Sequence, residues 1–175
     1  MKELLKKLKL IDYLQTELVI QKNDFVNKLR YHVDEGSIGI FSDTFDIFSS
    51  SKNEYKGKVS FNGFKIKRRR RFFDMNMNMA VATGTYSQKD DKLIISTEIN
   101  GFHGMMIPFY IFCIIIYGIF IIGFLSADEI GENALGFAFI IIHAAFMMGL
   151  PYFIMRRSTK RLKHELEREF FYLTK

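Results

Sequence analysis

Cysteine is nearly absent: Cys113 is the single one in 175 residues. An intramolecular disulfide is therefore impossible, and a metal site built on several cysteines is excluded. Metal-ligand spacing is missing as well, since His32, Glu98 and His103 stand in no recognised arrangement. Ser49, Ser50 and Ser51 lie outside any nucleophile-elbow pattern, and Gly57 and Gly63 belong to no phosphate-cradling loop. With no catalytic constellation, neither an enzyme nor a cofactor is expected. An internal repeat is lacking too. Residues 1–10 carry lysines throughout, without the uninterrupted apolar core of a secretory signal peptide, so the first long apolar run is expected to act as the insertion signal.

Charge is missing from two long stretches, and they organise the chain. Residues 105–125 read MMIPFYIFCIIIYGIFIIGFL, 21 residues without a charge. As a helix they reach roughly 32 Å, enough for a hydrocarbon core about 30 Å thick. Residues 134–155 are 22 more, titratable only at His143 and Tyr152. Between the two stretches lie Asp128, Glu129 and Glu132 and no base. The pattern predicts a transmembrane helical hairpin over residues 104–155. Net charge is +6, and basic residues gather on either side of it, at Lys67 and residues 68–71, then at Arg156, Arg157, Lys160, Arg161 and Lys163. Lysine and arginine near span ends favour the cytoplasm, so both termini are expected inside, at a bacterial inner membrane.

The remaining residues read as an α+β protein. Residues 1–15 predict a basic amphipathic helix, with Leu4, Leu5, Leu8 and Ile11 opposite Lys2, Lys6, Lys7 and Lys9. Its apolar face suits lipid or the following domain equally. Residues 16–103 predict a cytosolic α+β domain, a small antiparallel β-roll with flanking helices. A short strand over residues 17–21 leads to a helix capped by Asn23 or Asp24 and stopped at Gly36. Val59 and Phe61, Asn62-Gly63, then Phe64 and Ile66 predict a hairpin whose second strand runs on through residues 67–71. Residues 75–79 alternate methionine with asparagine. Residues 79–87 and 92–99 predict paired strands about a turn. Residues 156–175 predict a C-terminal amphipathic helix with Leu162, Leu166, Phe170 and Leu173 as its apolar stripe.

The run Tyr55-Lys-Gly57-Lys-Val59, the segment from Asn62 through the arginines, Gly84-Thr-Tyr86, Lys92-Leu-Ile-Ile95 and Glu98-Ile99 precede the apolar hairpin. This order resembles small uncharacterised bacterial membrane proteins that join a compact β-rich, pleckstrin-homology-like domain to two spans. The resemblance covers residues 17–155 and implies architecture alone, with no activity and no catalytic residues to carry over.

Two groups of residues stand out as candidate sites. Lys65, Lys67, Arg68, Arg69, Arg70 and Arg71 could bind an anionic ligand or lipid headgroup, because arginine forks suit phosphate. Successive strand residues face opposite sides, so the four arginines cannot share one patch. A solvated basic edge explains the run more simply than a shaped pocket. Phe72 and Phe73 adjoin it without a nucleic-acid motif, and no nucleic-acid partner is expected. In the apolar stretches, folding about Ile130 brings Tyr117 level with His143, which predicts a hydrogen bond of about 1 kcal/mol. Ala145 and Gly149 form a small-xxx-small step suited to close helix packing within the hairpin or between copies, with Gly118 and Gly123 thinning the first stretch. The sequence thus points to a membrane-anchored binding module whose basic domain meets a headgroup, small ligand or protein. The alternative is a structural or regulatory interaction protein, of immunity or defence type, acting through its spans. Membrane lipids, another copy, or a partner membrane protein are the expected partners.

Overall fold

The computed structural model describes residues 1–39, 51–70, 78–126 and 134–174. The chain divides into two units, Met1–Phe102 with Met155–Lys175, and His103–Ile154. The first unit is α+β. In chain order it contains α1 (Lys2–Lys7), β1 (Ile11–Leu18), α2 (Lys22–His32), β2 (Val33–Glu35), β3 (Tyr55–Val59), β4 (Gly63–Arg68), β5 (Val81–Lys89) and β6 (Lys92–Asn100). Then come two long apolar helices, α3 (Met106–Ser126) and α4 (Ala134–Tyr172). The six strands form one mixed sheet in the order β1-β6-β5-β4-β3-β2. All neighbours are antiparallel except β2 and β3, which run parallel.

The expected helix over residues 1–15 is corrected here. α1 stops at Lys7, and the strand begins at Ile11. Lys9 adopts φ 57°, its N–H donates to the Lys6 carbonyl (2.9 Å), and the Leu10 N–H reaches back to Leu5 (2.9 Å). These are the two bonds of a Schellman stop, with a lysine in the left-handed position that glycine usually fills. Leu5 and Leu10 are both buried, supplying the apolar contact that accompanies such a stop. From Ile11 onward eight residues pair with β6, from Ile11 opposite Asn100 to Leu18 opposite Leu93. The strand predicted at residues 17–21 therefore lies earlier in the chain, because Leu14 and Leu18 are its core positions.

The hairpin about Asn62 forms, but its turn is displaced by one residue. Ser60 N–H donates to the Gly63 carbonyl (2.8 Å), and Gly63 already begins β4. β4 ends at Arg68, so the predicted run of strand through residues 67–71 is cut short. Arg71 and the methionine–asparagine alternation over residues 75–77 lie outside the described residues. β5 and β6 meet across Asp90-Asp91, with Asp90 at φ 53°. Gly57 holds φ 146°, and a Cβ there would collide with the Lys65 carbonyl on β4, so this position of β3 requires glycine.

The core lies between the sheet and two helices. Phe25 and Leu29 of α2 meet Phe64, Ile66, Tyr86 and Ile95 of the strands, and Leu162, Leu166 and Phe170 of α4 close over them. Phe170 is fully buried and stands edge-on to both Phe25 (5.6 Å between ring centres) and Phe64 (5.8 Å). The predicted C-terminal helix is thus the last part of a single 39-residue helix that includes Pro151. Tyr110 Oη donates to the Met148 carbonyl (3.1 Å), next to the Met147 carbonyl that Pro151 deprives of its helical partner.

The second unit holds α3 and the start of α4. Both helices are long and apolar enough to cross a membrane, with mean hydropathy of 2.5 and 2.0 over their best windows. Almost none of that surface is buried within the protein. An apolar core helix of a water-soluble domain would be buried, and these are not.

Candidate functional site

The structure disperses the basic run. Lys65 is exposed, while Lys67 is buried and faces the equally buried Lys56 across the β3–β4 pair. Arg68 pairs with Glu165 of α4 and lies 3.9 Å from Glu54. Arg69 pairs with Asp34 (2.7 Å), which hydrogen bonds from Ser51 and Asn53, together with the guanidinium charge, hold below the usual carboxylate range. Arg70 is exposed beyond the strand end, and Arg71 lies outside the described residues. The five described side chains therefore do not make one surface: alternation sends Lys65 outward, and carboxylates from β2 and α4 take up Arg69 and Arg68.

A different cationic surface emerges on α4. Met155, Ser158, Thr159, Leu162, Leu166 and Phe170 face the core. The opposite side of the helix carries Arg157, Lys160, Arg161, His164 and Arg168 at i, i+3, i+4, i+7 and i+11. It lines a groove of about 1150 Å³, flanked by Thr16, Glu17 and Leu18 of β1 and by Glu54 and Arg68. Charge in the groove is partly internal. Glu165 accepts from both Arg68 and Arg161 (2.8 Å to the latter), and His164 lies 3.7 Å from Glu167. Among the described residues, Arg157, Lys160 and Arg168 have no carboxylate partner, against one such acid, Glu17. They span roughly 16 Å along the helix at 1.5 Å per residue. That spread suits a ligand carrying several negative groups better than a single phosphate, and Phe171 adds an apolar wall at the far end.

α4 is fixed in the unit by polar contacts at its entry. Ser158 Oγ accepts from the Met79 and Ala80 amides (both 2.9 Å), and Thr159 Oγ1 donates to the Leu10 carbonyl (3.3 Å). Lys163 meets Asp12 of β1 (2.9 Å). From the sequence, Arg157, Lys160 and Arg161 stood out only as basic residues following the second apolar stretch, His164 and Arg168 did not, and no local pattern shows which of them find carboxylates. Burial pushes the phenols of Tyr55 and Tyr86 well up, so both remain neutral core hydroxyls. No group of three or more His, Cys, Asp or Glu side chains able to hold a metal occurs among the described residues.

In the second unit Tyr117 Oη and His143 Nδ1 are 2.7 Å apart. His143 also stacks on Phe139, with 5.8 Å between ring centres. Ala145 is exposed, and a Cβ at Gly149 would meet only Phe153 of its own helix. The small residues thus do not mark the contact between α3 and α4, and Gly118 and Gly123 likewise open onto empty space.

No family model, no curated protein and no solved structure matches the chain.

Proposed function

We propose that this chain is an integral membrane protein whose two apolar helices form a transmembrane hairpin tethering a basic binding domain to the cytoplasmic face. The observation that carries the proposal is the pairing of a folded α+β unit with two long charge-free helical stretches whose apolar surface the protein leaves uncovered. Arg156, Arg157, Lys160, Arg161 and Lys163 follow the second apolar stretch directly, which favours the cytoplasmic side for the domain and both termini, as at a bacterial inner membrane. The proposed architecture is that of small bacterial two-span proteins carrying a β-rich, pleckstrin-homology-like domain. Its role is binding, and the ligand is anionic: a lipid headgroup, a small polyanion or an acidic protein segment.

The groove on α4 is the proposed binding surface, with Arg157, Lys160 and Arg168 as its available charges. A direct test is titration of the full chain, held in discs of phosphatidylcholine, with inorganic pyrophosphate and with glycerophosphoglycerol. Replacing the three residues by glutamine removes about 0.5–1 kcal/mol each, so affinity should fall roughly 10- to 100-fold. Replacing Lys65 and Arg70 instead should change it little. Equal loss from both sets would contradict the groove. A second reading, an interaction protein acting through its spans, is favoured by Gly118 and Gly123, whose open faces leave room for a helix from another chain.

A further inference from the structure

We infer that α1 is a peripheral foot that rests on an anionic lipid surface, an inference that depends on the membrane reading above. α1 carries more apolar surface than its domain buries. Leu5 is buried, whereas Met1 (85 % exposed), Leu4 (59 %) and Leu8 (38 %) are not. At helical spacing those three share one side, adjacent to the Leu5 face. Leu4 lies among the six helical residues and Met1 and Leu8 cap them, so three exposed apolar side chains line one side of this short segment.

Position argues for lipid as the occupant. The Schellman stop locks α1 onto β1 through Leu10, and Leu10 sits where the chain leaves and re-enters this unit. Its carbonyl accepts from the Gly101 N–H (2.8 Å), one residue before the unit's edge at Phe102, and from Thr159, four residues after re-entry at Met155. Both connections to the apolar helices therefore start beside Leu10, three residues after the end of α1. Charge agrees with the placement. Lys2 is held by Glu98 (3.1 Å) and Lys6 lies near Glu3 (3.5 Å), but Lys7 and Lys9 have no carboxylate partner among the described residues. Basic side chains flanking an exposed apolar stripe match an anionic interface.

A six-residue helix would bind lipid weakly as a free peptide. Here the spans would supply the local concentration, so that docking becomes intramolecular and needs few contacts. The consequence is orientational. With the foot down, rotation of the domain about its two connections is restricted.

The test uses the full chain with Cys113→Ser, reconstituted in vesicles of phosphatidylcholine and phosphatidylglycerol, with and without bromine on the acyl chains. An environment-sensitive fluorophore is attached in turn at Leu4→Cys, at Phe120→Cys in α3, and at Lys58→Cys near the β3–β4 turn. The inference expects bromolipid quenching at position 4 to exceed that at position 58 several-fold, and to drop when phosphatidylglycerol is omitted. Quenching at 120 but not at 4 would overturn the foot while sparing the spans. Quenching at neither would overturn both. A label at 4 that is shielded from bromolipid and from aqueous iodide alike would indicate a protein partner and also overturn the inference.

Discussion

Glu165 shows how one side chain links stability to the proposed site. Its carboxylate accepts from Arg68 and Arg161 and is only 13 % exposed. Glu165→Gln leaves two guanidiniums facing a neutral amide, at a cost of roughly 1–3 kcal/mol for a partly buried pair. The same change makes the groove more positive. Thermal melting should therefore show a lower Tm while pyrophosphate binding tightens, and a variant that loses both would contradict the assigned roles. Asp34 gives a pH signature instead. Its folded pKa lies below the unfolded value of about 3.9, so its contribution is present above that value and is lost as pH falls through the folded pKa. Asp34→Asn should lower Tm near neutrality, and the gap to the parent chain should close below about pH 4. A gap independent of pH would show that Asp34 acts through packing alone.

Among the elements, α4 carries the most. Phe170 joins it to α2 and the sheet through two edge-on ring contacts, and Phe170→Ala should cost about 3–5 kcal/mol, measurable as a depressed denaturation midpoint of the first unit. Leu162, Leu166 and Phe170 were legible in the sequence because helical periodicity alone marks them as one stripe. β5 and β6 were legible for the matching reason: alternation over Ala82, Gly84 and Tyr86 and over Leu93, Ile95 and Ile99 puts one face inside. The errors have specific physical causes. α1 looked longer because Ile11 continues its apolar helical spacing, and nothing local warns that Lys9 turns left-handed. That outcome depends on Leu10 finding a buried place against Leu5, a tertiary gain that outweighs the strain of a non-glycine residue there. Arg68 and Arg69 looked available because their carboxylates lie 97 and 35 positions away in sequence, and no pattern near the arginines announces them.

For the chain as one object, the decisive contrast lies between a unit with a packed core and two apolar stretches that leave Ile119 and Ile122 of α3 and Phe139 and Ile142 of α4 largely exposed. Burying such side chains is worth about 1.5–3 kcal/mol each, so a medium that covers them dominates the energetics of the whole chain. That medium is proposed to be a bilayer, with the α+β unit on its cytoplasmic side. The most direct test places a single cysteine at the exposed Lys58 in the Cys113→Ser chain, expressed in bacteria, and adds a membrane-impermeant maleimide before or after the inner membrane is opened. Protein is scored only in membranes washed with alkaline carbonate. The account predicts that the chain stays with the washed membrane and that Lys58→Cys is labelled only once the membrane is open. Release by carbonate, or labelling in intact cells, would contradict it.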